Sequence, residues 1–587
     1  MSMSIVYSTF YAIAWLSIVS GLYFYKKSSQ SMAGIIWIPM VIIASMCIQT
    51  FTAGILNIVM IPVNLISIAV CEIVMGGFLW YRIIHNKKRQ QYTYNKLDFA
   101  FVVLLMAAVI IVAVRRYGLH VYINFDTIDP AAHLQDAMNV VNTHKVSGMF
   151  YSAINNALLI QLLSPVIAVS KYYKIFVLSE ILMLFLSGLA FYAAIRNFVK
   201  STFLYIVGIV ITFIYVFGYP LNNMIFGFVY LGMGVTLVAY LIVVTNGYLN
   251  EELDKWPAVL LISLGCLGLF ESYLLFVPAV FIGIFLIIAV QRKSQKKLFT
   301  VHTVIEYLSI FLIPCLFGLY YSYLGIFTGD VTPTSAIANE GHIYRDLYSN
   351  FILIAPMAIT GFWVMLKTKT RNLALYITPV FAIFMGYLLY QGMHGLVSSY
   401  YYYKTYYLLW LLVFILVFAG ISSLAEKSKP IIIAFGLTWI VLLALLVFKV
   451  EENIQSKYPL FSPVIKSSML TDVYSYNEQK MLVPTYPIPK LALYDYVYSK
   501  LLKQGTLIPL AGYWEDDYWY QAITNQRLTG FNYWVIGEDI YFENLKNQAK
   551  YVLVLTDSEI YSNHRAYFDS LEKIYWTEAG FIGKLAV

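Results

Sequence analysis

Apolar runs long enough to cross a bilayer follow one another through residues 1–449, and they decide what this chain can become. A hydrocarbon core needs roughly 20 apolar residues per crossing helix. By that measure spans are expected near 5–25, 33–50, 53–81, 97–114, 175–195, 202–218 and 226–246. Others are expected near 257–271, 273–290, 303–324, 351–366, 372–390, 406–424 and 430–449, about fourteen in all. Of the 587 residues 60% are hydrophobic and only 12% charged, which excludes a soluble enzyme. The first span has no basic run before it and is followed by Lys26 and Lys27, so it is expected to remain as a helix rather than be cleaved. Cys47, Cys71, Cys266 and Cys315 all lie in apolar runs, where thiols are small packing groups, and no disulfide framework or thiolate metal site is indicated.

Loop charge sets the expected orientation. Alternate loops at 26–30, 82–96, 196–200, 250–256, 291–300, 367–371 and 425–429 hold nineteen Lys and Arg, against seven in the opposite set. The positive-inside rule puts the rich set in the cytoplasm. Both termini, the loop 115–150 and everything after 450 are then extracytoplasmic. The tail 450–587 carries 16 acidic and 12 basic residues and is long enough for a small domain. Its pattern predicts an α/β fold: a helix near 488–503, a strand at 506–511, a strand at 551–555, a helix near 562–572, then closing strands.

One polar stretch interrupts the apolar body. NFDTIDPAAHLQDAMNVVNTHKVSG, Asn124 to Gly148, holds three aspartates and two histidines. Asp129-Pro130 predicts a helix start, because the carboxylate can cap free amides and Pro fits the first turn without a donor. Helical spacing then puts Asp129, His133 and Asp136 on one face. Two readings stand at this point: Asp129 is a cap with solvated neighbours, or the stripe forms the floor of a site.

The run IDPAAHLQDAMNVVNTHKVSGMFY resembles the first external loop of the GT-C superfamily, the multispan glycosyltransferases that include protein O-mannosyltransferases and aminoarabinose transferases. In that superfamily an acidic residue opens a short juxtamembrane helix, with an aromatic residue or His about four positions on; Asp129 and His133 match. The resemblance implies a polytopic α-helical membrane protein of GT-C-like architecture, with about 14 transmembrane helices and a C-terminal extracytoplasmic α/β domain. It divides the chain into accessory helices 1–96, a catalytic membrane module 97–449 with external loops 115–174 and 325–350, and the domain 450–587. Pro130 stands where many members carry a second acid, three spans precede the family's first, and Glu271 lies near a place where many relatives have a basic residue.

The implied activity is an inverting glycosyltransferase that moves a sugar from a polyprenyl-phosphate donor to a hydroxyl of an extracytoplasmic acceptor, such as cell-wall polysaccharide or teichoic acid. Nucleotide sugars are cytoplasmic, so a donor used outside must already have crossed. The reaction needs one base for the acceptor proton and positive groups for the departing phosphate. Asp129 is the expected base, with Asp126 beside it. Asp126 or Asp136 can tune its pKa or hold a divalent cation, Mg or Mn, although no cofactor is demanded and the metal stays open. His133 can orient the base or meet phosphate.

Cations for the phosphate are sought in the external loops. Arg115 and Arg116 end a span, where paired arginines commonly just snorkel. His342 and Arg345 lie three apart in the loop 329–350, with Arg345 the first choice; Lys404, in the tyrosine run after His394, is the second. In the tail, Trp514 and Asp516 offer a ring and a carboxylate of the kind that bind sugars, or simply a packed core. The expected partners are the donor, the glycan acceptor and the bilayer of the cell membrane, with no nucleic acid. A glycan polymerase or ligase using a lipid-linked oligosaccharide is the nearest alternative. A lipid-glycan flippase or transporter would carry more ionisable groups inside the membrane than Glu72, Glu180 and Glu271, and often repeated halves.

Overall fold

A computed structural model describes residues 3–25, 32–86, 92–146, 153–326, 338, 340–345, 349–352, 354–368, 372–427, 473–481, 485–502 and 507–585. Among them twelve helices are long and apolar enough to cross a membrane. The spans are α1 (Met3–Phe24), α2 (Gly34–Ile58), α3 (Leu65–Asn86) and α4 (Lys96–Tyr117). After α5 (Asp129–Thr143) and α6 (Ile154–Leu163) come α7 (Tyr173–Arg196), α8 (Thr202–Phe217) with its continuation α9 (Tyr219–Phe226), and α10 (Val229–Leu249). Next are α11 (Lys255–Ser272), α12 (Val277–Ser294), α13 (Val301–Ile326), a short α14 (Ala355–Lys367), α15 (Leu373–Met393) and α16 (Ser399–Lys427). Phe99, Ile111, Ile206, Leu316 and Ile383 are exposed on the outer faces, which suits side chains that meet lipid rather than water.

The expected span boundaries shift in places. The second and third spans do not divide at 51–52: α2 runs on to Ile58, since Phe51-Thr52-Ala53 contains no helix breaker. The break falls at Pro62, and Asn64 Oδ1 starts α3 by accepting from the Ile66 and Ser67 amides at 3.0 and 3.1 Å. The run 351–366 holds the end of a short helix, Ser349–Ile352, and then the 13 residues of α14, which by themselves give about 20 Å of helix. The run 430–449 lies outside the described residues.

The two ends of the bundle are built differently. At one end Arg196 meets Asp98 at 3.3 Å, Lys200 meets Glu426 at 2.6 Å, and Arg292 and Lys255 reach the buried Glu306 at 2.9 and 3.5 Å. The opposite end carries α5, α6, α9 and the C-terminal domain. There the Val473 amide donates to Asn350 Oδ1 at 3.1 Å, and α17 (Val473–Met481) packs on α9, with Asn477 donating to the Phe217 and Gly218 carbonyls, both at 2.9 Å.

The C-terminal domain follows α18 (Ile488–Tyr496), continued by a π-helical segment at Val497–Leu501, and α19 (Trp514–Thr524). Beyond the two-residue pair β1 (Met32–Ala33) and β2 (Tyr92–Thr93), its sheet uses β3 (Leu510–Ala511), β4 (Tyr551–Leu555), β5 (Glu572–Thr577) and β6 (Gly580–Lys584) in the order β3-β4-β6-β5. The first pair is parallel and the other two antiparallel. The helix expected at 562–572 is two short pieces, Glu559–Asn563 and Arg565–Asp569, separated at His564, which bonds Glu538 at 2.6 Å.

This domain holds α5 from above. Trp519 stacks on Phe125 with centroids 6.0 Å apart, Gln135 donates to the Tyr518 carbonyl at 3.1 Å, and Arg527 donates to Asn139 at 3.2 Å. The apolar face of α5, Ala131, Leu134, Ala137, Met138 and Val140, is buried. Its polar face is thereby fixed against α10 and α16.

Candidate active site

Asp129 opens α5, but its carboxylate makes no capping bond; the N-cap is Ile128. Instead Oδ2 accepts from the Tyr400 hydroxyl of α16 at 3.1 Å. The carboxylate lines a recess of about 230 Å³ together with His133 on the next turn, Phe228 and Tyr230 at the start of α10, Tyr273, and Tyr400, Tyr401 and Lys404 of α16. A cap bond would have turned the side chain back on its own helix, so the acid is left facing the recess.

Lys404 supplies the opposite charge. It is 4% exposed, and its ammonium lies 4.0 Å from the centre of the Tyr400 ring and 4.6 Å from that of Phe228, with Tyr401 and Tyr273 farther round at 5.7 and 5.9 Å. Ring faces stabilise a cation by about 0.5–2 kcal/mol each but supply no full counter-charge. Among the described residues it forms no ion pair with a carboxylate, and Asp129 acts on it only across the recess. The recess therefore presents a buried positive charge whose electrostatics favour an incoming anion, with an uncapped carboxylate on the facing wall.

His133 sets its ring edge-on to Tyr230, with centroids 4.7 Å apart, and its Nδ1 lies 3.9 Å from Asp136 Oδ2. The predicted shared face of Asp129, His133 and Asp136 is thus present, with Asp136 at its outer end.

Asp126 has a different setting. Its Oδ2 is met by His342 Nε2 at 3.1 Å and accepts from the Tyr476 hydroxyl at 2.9 Å, and Lys480 donates to Oδ1 at 2.7 Å. Burial alone would push this carboxyl up. The bonds from His342, Lys480 and Tyr476, with the Lys480 charge, override that and hold it well below the usual carboxylate range. A carboxylate so committed is a weak base, and a divalent ion there would have to displace the Lys480 ammonium and the bonds from His342 and Tyr476. Among the described residues no three His, Cys, Asp or Glu side chains gather as metal ligands.

The other predicted residues fall outside the recess. Arg116 is buried and spends its guanidinium on the carbonyls of Asn124, at 2.7 Å, and Lys480. Its neighbour Arg115 pairs with Glu478. Arg345, the first-choice phosphate ligand, is half exposed and bonds Glu340 at 2.7 Å, while Glu340 accepts from the Ser399 amide at 2.9 Å. His342 is taken by Asp126, and His394 bonds the Tyr390 carbonyl at 2.8 Å. In the tail Asp516 is buried between the Tyr486 hydroxyl and Lys490, the latter at 2.8 Å, and Lys490 also reaches Asp557 at 2.9 Å; Trp514 is half exposed beside Tyr518. The Trp-Glu-Asp-Asp-Tyr segment thus supplies a packed ion cluster and an outward ring. The aromatic run beside Lys404 marks Tyr400 in the sequence, whereas Phe228 and Tyr273 lie far from that run and carry no such signal.

Among solved structures, the chain is similar to the crystal structure of ArnT from Cupriavidus metallidurans bound to undecaprenyl phosphate, at 11% identity and a TM-score of 0.46, over 82% of this chain and 98% of that one. A likeness that loose carries no argument about this chain's residues. No protein-family profile matches the chain, and no curated protein matches it.

Proposed function

We propose that the chain is an inverting glycosyltransferase that moves a sugar from a polyprenyl-phosphate donor to a hydroxyl of an extracytoplasmic acceptor. The observation that carries this reading is the pairing of Asp129 with Lys404 across one recess at the bundle end opposite the basic loops. By the positive-inside rule that end is extracytoplasmic, where only a lipid-carried sugar is at hand. The donor phosphate sits against the Lys404 ammonium, and the sugar lies between it and Asp129 with its rim against tyrosine rings. Asp129 takes the proton of the acceptor hydroxyl as that oxygen attacks the anomeric carbon. The anomeric C–O bond to phosphate breaks, and the phosphate leaves with the electron pair as a stable anion that needs no proton. Lys404 holds the charge that gathers there.

The test is a pair of variants in purified, reconstituted protein offered a radiolabelled polyprenyl-phosphate hexose. Asp129→Asn keeps the size and the Tyr400 bond but cannot accept a proton, so transfer should fall roughly 10²- to 10⁴-fold with donor binding retained. Lys404→Met should weaken donor binding and transfer together. Normal turnover by Asp129→Asn would return this residue to a helix-start role.

A further inference from the structure

A second, larger cavity of about 530 Å³ lies within the membrane body, walled by α1 and α2 on one side and by α6, α7, α10 and α11 on the other. Its walls are mostly apolar, and two of its lining residues, Leu16 and Leu182, are also exposed on the bundle's outer face, at 56% and 49%. One end is different. Thr50, Asn155, Asn156, Glu271 and Ser272 line it together with Tyr230, the residue that also lines the Asp129 recess. Glu271 is 7% exposed, and among the described residues no cation or hydrogen-bond donor meets it. Ser272 Oγ and Asn155 Oδ1 likewise have no hydrogen-bond partner among the described residues. Asn156 donates to the Tyr230 hydroxyl at 3.4 Å, which ties this polar end to the recess wall.

Polar groups left bare in a membrane interior cost free energy that a ligand's own polar groups recover. An isoprenoid tail would bury them without recovering anything. A phosphate head would face a carboxyl group with no Lys or Arg among the lining residues. An uncharged head rich in hydroxyls on an apolar chain both donates and accepts, and so can meet Glu271, Ser272 and Asn155 together. We propose that this cavity takes a membrane lipid with such a head, seated against Glu271, Ser272 and Asn155, and that this lipid is the acceptor whose hydroxyl reaches Asp129 past Tyr230. The last step rests on the transfer reading above; the lipid site does not. The helices α1 and α2 then have a task, as the outer wall of the acceptor's chain.

Native mass spectrometry of the full chain in nanodiscs tests it, with a monoglycosyl diacylglycerol, phosphatidylglycerol and a polyprenyl phosphate as competing probes. The glycolipid should be retained over phosphatidylglycerol and should not be displaced by the polyprenyl phosphate. Glu271→Leu should lower its retention about tenfold, the loss of about one buried hydrogen bond. Glu271→Gln, which still donates and accepts, should stay near wild type, and Ser272→Ala should fall between, so the series reads out even where Leu impairs folding. Equal retention of all probes, unchanged retention in both Glu271→Leu and Ser272→Ala, or displacement by the polyprenyl phosphate would overturn the site. Retention that survives while Asp129→Asn transfers normally would leave the lipid site standing and remove the base assignment alone.

Discussion

Asp126 and Asp129 stand three residues apart, and their neighbours give them opposite capacities. Asp126 is clamped by side chains from the loop at 342 and from α17, so its charge joins segments distant in sequence. Its depressed folded pKa fixes the sign of the pH dependence: the clamp contributes fully above the ordinary carboxylate value and is lost as pH falls through the lower folded value. Asp126→Asn should therefore lower the melting temperature at neutral pH, and its gap from wild type should narrow as pH drops toward about 3. A gap that stays constant with pH would mean that packing, not charge, makes the clamp. Arg345 belongs to a half-exposed pair, so Arg345→Ala should leave transfer within about threefold of wild type. A strong loss there would move the phosphate site away from Lys404.

The placement of α5 depends on a neighbour's backbone. Gly227 ends α9 at φ +78°, and a Cβ added there would overlap Pro130 and crowd Phe125. The close approach lets the start of α10 carry Phe228 and Tyr230 into the recess beside Asp129. Gly227→Ala should cost roughly 1–3 kcal/mol through backbone strain, and it should slow transfer further by shifting Asp129, because a displacement of about 1 Å can cost about 10²-fold. Gly77→Ala, in open space on α3, is the control for helix propensity and should be near neutral in turnover. At this scale much was readable. Asp129-Pro130 marks the start of α5, and helical spacing puts Asp129, His133 and Asp136 on one face. The break before α3 is written in Pro62 and Asn64, whereas apolar length alone puts it about ten residues early. The cation box was not readable: Phe228 precedes α10, Tyr273 follows α11 and Lys404 lies in α16, and no local pattern announces that they meet. The fates of Arg116 and Asp516 were hidden for the same reason, since their partners are a distant carbonyl and a distant lysine.

For the whole molecule, sidedness decides whether any of this chemistry has a substrate. The described contacts put the Asp129 recess, α17 and the C-terminal sheet at one end and the pairs around Lys200 and Arg292 at the other. That segregation is geometric and holds whichever way the bundle is inserted. The loop charges choose the direction, since cytoplasmic loops keep an excess of Lys and Arg. The native cysteines are buried or partly buried, so an exposed cysteine can be read above a low background once they are replaced by serine or alanine. Gln479→Cys on the exposed side of α17 should react with a membrane-impermeant maleimide in intact cells, and Ser294→Cys at the end of α12 should react only after lysis. The reverse pattern would place the recess in the cytoplasm, where nucleotide sugars are plentiful, and would remove the reason for a lipid-carried donor. Labelling of both in intact cells would instead report leaky cells, which a cytoplasmic marker protein measured in the same sample identifies. The expected asymmetry ties the Asp129–Lys404 pair to the face where a sugar must arrive on a lipid.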